Sequence, residues 1–338
     1  MANLLTLEKS LNKSGITTGI IEPDHWLSTG IHLLNHTMTG TFSQAIPNRR
    51  SVLFWGESGT GKSFILSLIA LAAQKDGYQV IYIDTETAIH EEYLEKIGVD
   101  IKDPQKFLAT SISTVSQATK TMSDIYKTIS PDDKICVILD SLSNLETDTD
   151  SDNFDKGIAK GDQGQLAKQL KKFMKSVNAK LGQYDMHFIT SGHAYLNQDI
   201  KNGEGKWLFT GGKGVQFIPS IGVLLTKLKL KEDTDIVGIK LKTEITKSRF
   251  SKLGGKTEIE LDYEKGFEAW AGMLDIAIEM GMVTQAGAWY TWTKTDGSIQ
   301  KFQRKNFGKY FYEMFDISDV GRLIEEKFDV EVLEVDAK

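Results

Sequence analysis

The chain has 338 residues, 40% hydrophobic and 25% charged, a composition that suits one large α/β core with smaller additions and excludes a low-complexity or disordered chain. Its net charge of -6 excludes a whole-molecule attraction to nucleic acid, so any such binding must come from local basic patches. One cysteine, Cys136 in an apolar run, excludes a disulfide framework and points to a reducing cytoplasm; no run approaches the roughly 20 apolar residues of a membrane span, and Met1–Leu11 has no signal-peptide core.

In chain order, Leu4–Lys13 puts Leu4, Leu5, Leu7 and Leu11 near one helical stripe, too short to be stable alone in water. It needs a surface, either its own core or a neighbouring subunit. Thr17–Ile21 reads as a strand, followed by a turn at Pro23 and Asp24. The strand Val52–Trp55 then runs into Gly56-Glu57-Ser58-Gly59-Thr60-Gly61-Lys62-Ser63, which opens an apolar helix. This is a phosphate-binding loop in its required context. Glycines let the backbone aim N–H groups at phosphate oxygens, Lys62 reaches the β/γ-phosphates and Ser63 ligates Mg²⁺.

From there strands and helices alternate: strand 79–84, helices 90–97 and 114–128, strand 135–140, helix 163–181 and strand 186–191. That rhythm predicts a mostly parallel, doubly wound sheet with its chemistry just past the strand ends. The first such end carries Thr85-Glu86, a carboxylate suited to orienting or deprotonating water, against the plainer reading of a solvated loop residue. The next carries Asp140, suited to supporting the metal, and the third carries Ser191-Gly192-His193, where His193 could sense a γ-phosphate or be structural.

Two stretches are expected as long loops. Thr147–Gly164 is acidic at its start, but Asn153 and Ala159 stand where a calcium loop needs glycine and glutamate. Tyr195–Gly214 interleaves Lys201, Lys206 and Lys213 with Tyr195, Trp207 and Phe209 among glycines, as a single-strand groove does: charges for phosphates, rings for bases. Val223–Lys231 and Val237–Lys247 then read as antiparallel strands. Lys247 and Arg249, at i and i+2 on a strand end, would point the same way and could clamp a polyphosphate. Since Lys62 already serves this chain's own loop, a neighbour's nucleotide is a plausible target. Glu268–Gly281 and Asn306–Val330 read as helices around a hairpin of Trp289–Thr293 and Ser298–Gln303.

Taken together these motifs resemble the RecA family of homologous-recombination ATPases, and within it the T-even phage branch. The resemblance covers roughly Leu27 to Tyr290. It rests on Leu27-Ser28-Thr29-Gly30, the loop at 56–63, Tyr82-Ile83-Asp84-Thr85-Glu86 with Tyr93, Ile138 to Leu145, Thr210-Gly211-Gly212, Lys247-Ser248-Arg249 and Gly287-Ala288-Trp289-Tyr290. It implies a RecA-like P-loop ATPase core over 28–264, a polymerisation arm over 1–27 and a small α+β region over 265–338. It implies ATP and Mg²⁺ as cofactors, held by Gly56–Ser63, with Tyr93 stacking on adenine and Ser63 and Asp140 at the metal. Glu86, Lys62, His193, Lys247 and Arg249 become the catalytic set, with the last two acting across a subunit interface. Lys201, Lys206, Trp207, Phe209, Thr210, Gly211, Gly212 and Lys213 become the DNA-binding set.

His193 stands where bacterial members have glutamine, and His90 where they have an acid near adenine; the second puts base selectivity in question. The function implied is an ATP-dependent recombinase that forms helical filaments on single-stranded DNA and pairs it with homologous duplex. Single-strand-binding and mediator proteins are the further partners implied, in the cytoplasm of a phage-infected bacterium. A hexameric replicative helicase of the same fold is the alternative, disfavoured because only about fifty residues precede the phosphate loop.

Overall fold

A computed structural model describes residues 3–14, 18–87, 89–158, 164–197, 206–232, 235–251, 253–262 and 270–315. Its elements in order are α1 (Leu4–Lys13), β1 (Trp26–Leu27), α2 (His32–Thr39), β2 (Ile46–Pro47), β3 (Ser51–Gly56), α3 (Lys62–Lys75), β4 (Gln79–Asp84), α4 (Glu91–Ile97), β5 (Phe107–Ser111), α5 (Val115–Thr128) and β6 (Ile135–Asp140). They continue with α6 (Asp148–Asp155), α7 (Gln165–Leu181), β7 (Met186–Asn197), β8 (Lys206–Phe209), α8 (Lys213–Gln216), β9 (Ile221–Glu232), β10 (Asp235–Lys247), β11 (Lys256–Asp262), α9 (Met273–Glu279), β12 (Val283–Ala286), β13 (Trp289–Thr293), β14 (Ile299–Gln303) and α10 (Gly308–Phe315).

The large sheet runs β11-β10-β9-β3-β7-β6-β4-β5, with β8 added against β7. All pairings from β9 to β5 are parallel, while β10 lies antiparallel to both β9 and β11. β3 is buried along its whole length because helices cover both faces. Its period-2 side chains divide the interior. Val52 and Phe54 join one apolar cluster with Ile65, Leu66 and Ile69 of α3, whereas Leu53 and Trp55 join another with Met122 of α5 and Phe173 of α7. Tyr290, Trp292 and Phe302 of the small β12-β13-β14 sheet, with Phe307 and Phe311, belong to the first of these clusters.

Several expected boundaries differ. No strand forms over Thr18–Ile21, and Thr17 lies outside the described residues. The supposed loop from Thr147 begins with α6: Thr147 caps it, its side chain accepting from the Asp150 N–H, and Asp148 and Asp150 in the first turn suit the positive end of the helix dipole. The loop from Tyr195 is in part an antiparallel hairpin, because β7 continues to Asn197 and pairs with β8. Helix α9 is shorter than expected, residues 263–269 being outside the described set, as is everything beyond Phe315, including most of the helix expected to Val330.

Helix α1 is capped by Asn3, whose side chain accepts from the Leu5 and Thr6 N–H groups, yet it buries no residue; Leu4, Leu5 and Leu7 are 73%, 69% and 51% exposed. Deleting residues 1–14 is therefore expected to cost the dispersed protein less than about 1 kcal/mol of unfolding free energy, whereas Phe54→Ala should cost about 3–5 kcal/mol. Denaturant melts of the two variants check this; a large loss on deletion would mean that α1 docks on its own chain.

Candidate active site

Parallel pairing brings the carboxyl ends of β3, β4, β6 and β7 to one edge of the sheet, and Lys62, Glu86, Asp140 and His193 meet there. The loop after β3 leaves the sheet at Gly56, where a Cβ would fall 2.1 Å from the Leu225 carbonyl oxygen on β9. Only glycine allows that approach. Lys62, buried at the start of α3, donates from Nζ to the carbonyls of Gly56 (3.2 Å) and Glu57 (2.8 Å). Burial pushes its pKa down, while the nearby carboxylates of Asp140 and Glu86 work in the other direction. Thr60 Oγ donates to the Glu57 carbonyl at 2.9 Å, tightening the same turn, and Ser63 stands exposed beside it.

Glu86 is presented by its neighbour Asp84. Asp84 Oδ1 accepts from the N–H groups of Glu86 (2.8 Å) and Thr87 (3.0 Å), and Oδ2 from that of Ile89 (3.2 Å), so the last residue of β4 folds the following chain around its carboxylate. Thr87 takes a φ of +54°, uncommon outside glycine, and the Asp84 bonds hold it there. Glu86 Oε1 accepts from Ser141 Oγ at 2.9 Å and lies 2.8 Å from His193 Nε2. The hydrogen bond from His193 holds the Glu86 carboxyl below the usual range. Thr85 and Ser141 cross-link the two strand ends: Thr85 Oγ donates to the Ser141 carbonyl (2.9 Å), and the Ser141 N–H is 2.8 Å from Thr85 Oγ.

Asp140, buried at the end of β6, accepts from Tyr82 at 3.1 Å on one oxygen and from Ser191 on the other, with Ser63 a further partner. Burial nevertheless pushes its pKa up, so the pocket holds a carboxylate short of positive charge. No group of three or more His, Cys, Asp or Glu able to hold a metal occurs among the described residues. Mg²⁺ is commonly bound by one or two carboxylates or hydroxyls together with substrate phosphates, so Asp140 and Ser63 fit that ion.

His193 is tied to the chain beyond it. Its N–H donates to Ser143 Oγ (2.7 Å), Ser143 Oγ donates to the Thr210 carbonyl (3.0 Å), and the Thr210 N–H donates to the His193 carbonyl (2.9 Å). Of the expected DNA-binding residues, Lys201 lies outside the described residues, as does the Lys206 side chain. Phe209 is 2% exposed and meets Trp55 edge-on at 6.2 Å, so its ring is occupied by protein and not open to a base. Trp207 packs partly against the same cluster, Gly211 and Gly212 turn the chain with φ of +117° and +96°, and Lys213 is exposed at the start of α8.

Lys247 ends β10, but Arg249 lies beyond the strand in a bend, and a register shift separates Ile245 from Lys247. The same-side argument from strand alternation therefore fails. Lys247 Nζ donates to the Phe217 carbonyl, and burial, with Arg249 nearby, pushes its pKa down. Tyr93, on α4, is half-buried against the first apolar cluster, and His90 is exposed at the cap of the same helix. Sequence reasoning missed Asp84, Tyr82 and Ser191 as supports. It also missed Lys227 of β9, whose Nζ donates to the loop carbonyls of Ser58 (2.9 Å) and Gly59 (3.1 Å). Asp84 and Tyr82 sit at or near the end of β4 and could have been suspected; Ser191 lies within β7, and Lys227 is one of several alternating lysines with no local mark.

Residues 8–268 match the RecA N-terminal domain. The chain belongs to the RecA family. Relatives include the RecA proteins of Streptomyces venezuelae, 26% identical over 315 residues (92% of this chain, 79% of the relative), and Malacoplasma penetrans, 24% identical over 287 residues (84% and 83%). With the family come DNA-dependent ATP hydrolysis, filament formation and a role in recombination and repair, and the helicase alternative finds no support. No helix among the described residues is long and apolar enough to cross a membrane.

Because the His193 bond favours ionised Glu86, removing it must raise the Glu86 pKa. In His193→Ala the acid limb of ATP hydrolysis is expected to move to higher pH. A pH–rate profile compared with wild type checks this, and an unmoved acid limb would separate Glu86 ionisation from His193.

Proposed function

We propose that this RecA-family protein polymerises head to tail on single-stranded DNA, with ATP held between Gly56–Ser63 of one subunit and Lys247 and Arg249 of the next, and promotes pairing and strand exchange with homologous duplex. The observation that carries the reading is the Glu86–His193 contact at the phosphate-loop edge, continued through Ser143 to Thr210. In it Glu86 takes the proton of the attacking water, Lys62 binds the β/γ-phosphates and Tyr93 stacks on adenine. Bound Mg²⁺, held by Ser63 and Asp140, would neutralise phosphate charge. His193 reports the γ-phosphate to the chain ending at Thr210, Gly211 and Gly212, where Lys201, Lys206, Lys213 and Trp207 contact DNA. Phe209 anchors that segment.

The exposure of Arg249 and of the α1 leucines supports a head-to-tail, non-closing interface, for which residues 1–27 serve as arm, 28–264 as core and 265–338 as a small C-terminal region. Trans cations of this kind contribute roughly 10³–10⁵ in rate where they act as arginine fingers. The sequence motifs also resemble those of the T-even phage recombinase UvsX. That suggests the cytoplasm of an infected bacterium, with single-strand-binding and mediator proteins as partners.

ATP hydrolysis measured with and without homopolymeric single-stranded DNA, with electron microscopy of the same mixture, tests the whole; absence of both DNA stimulation and filaments would overturn it. Lys247→Ala and Arg249→Ala should each bind ATP normally yet lose DNA-stimulated hydrolysis by about 10³ or more. Glu86→Gln should bind ATP and DNA but hydrolyse slowly. Mixing Glu86→Gln with Lys247→Ala should restore some turnover, since a site can then draw its glutamate and its cation from different chains; no recovery would argue against action in trans.

A further inference from the structure

Four successive carbonyls of the phosphate loop are held by two ammonium groups. Lys62 takes those of Gly56 and Glu57, and Lys227 takes those of Ser58 and Gly59. Lys227 arrives there by strand register. Gly56 pairs with Leu225 across the parallel β3–β9 ladder, and residues two apart on a strand share a face. Lys227 therefore rises one pleat past the end of β3, directly over the turn. Its Nζ lies 2.6 Å from where a Cβ on Gly59 would be, so a side chain there would push this flexible ammonium aside.

We propose that Lys227 is a positioning residue of the nucleotide site, acting within its own chain by fixing the Ser58–Gly59 and Gly59–Thr60 peptide planes. In a planar trans peptide the carbonyl and the following N–H point in opposite directions. Holding the Ser58 and Gly59 oxygens against Lys227 turns the N–H groups of Gly59 and Thr60 to the other side of the loop. Converging N–H groups are what a phosphate needs. Gly59 has the freedom that lets the loop bend, with φ of +68°, and the same freedom would let either plane rotate. A rotated plane would aim a carbonyl oxygen at the phosphate in place of a donor. Charge-assisted bonds from one ammonium to both oxygens oppose that rotation.

The inference rests on Gly56–Ser63 as the nucleotide site. Wild type, Lys227→Ala, Lys227→Met (which keeps the apolar stem), Lys227→Arg and Lys229→Ala would be titrated with fluorescent ADP and ATP analogues, and their DNA-stimulated hydrolysis followed against ATP concentration. Loss of the lysine in either neutral variant is expected to raise Kd for both nucleotides, and KM, by about tenfold, as for loss of a charged hydrogen bond. Saturating kcat should stay near wild type, Lys227→Arg should recover most of the affinity, and Lys229→Ala, exposed one pleat further along, should behave as wild type. Wild-type affinity in Lys227→Ala or Lys227→Met would overturn the proposal. So would a loss confined to ATP, which would mean direct contact with the γ-phosphate. Failure of the wild-type protein itself to bind nucleotide would overturn the site reading instead, and is seen in the same titration.

Discussion

β3 is hydrogen-bonded in parallel to β7 on one side and β9 on the other, and this double ladder fixes every other distance at the site. It sets Gly56 opposite His193 in one register and opposite Leu225 in the other. A slip of one residue in either would exchange Val52 and Phe54 for Leu53 and Trp55 between the two apolar clusters, so burial on both faces locks the alignment. Side chains far apart in sequence, Lys62, Glu86, Asp140, His193 and Lys227, are thereby delivered to one edge.

Electrostatics at that edge are held in tension. Asp140 is driven by burial toward its neutral form while hydroxyl donors from Tyr82, Ser191 and Ser63 draw it back, and Glu86 is kept ionised by His193 and Ser141. Lys62, itself disfavoured as a cation by burial, is the compensating charge within the chain. The acids at this edge, Asp84, Glu86 and Asp140, are thus set against the ammonium groups of Lys62 and Lys227. Supporting groups come from strands as well as loops, Tyr82 from β4 and Ser191 from β7.

Much of this was legible in the sequence because buried parallel strands are continuous apolar runs and their ends are marked by abrupt polarity, as at Asp84 and Asp140. The phosphate loop was legible because its glycines are demanded by backbone geometry alone. Other parts carried no such mark. β5 is mostly exposed and lacks a clear alternation, so Phe107–Ser111 gave no strand signal. The α6 sequence is acidic and polar, and its helix depends on a cap and a dipole more than on an apolar stripe. Phe209 looked like a surface ring because its glycine-rich neighbours suggested a loop, whereas pairing of β8 with β7 carries it into the interior. Lys227 acquires its position only from pairing between distant strands, which local sequence does not encode.

Helix α1 presents leucines to solvent. If they are covered by a neighbouring subunit, that part of the contact is chiefly hydrophobic, and hydrophobic attraction weakens on cooling. Burying a charged contact likewise costs less as temperature rises. An assembly joined through α1 would thus loosen in the cold, and ion pairing across the same junction would not offset the loss. Each open end would also keep one apolar arm or its seat uncovered, so a few long polymers would expose less apolar surface than many short ones.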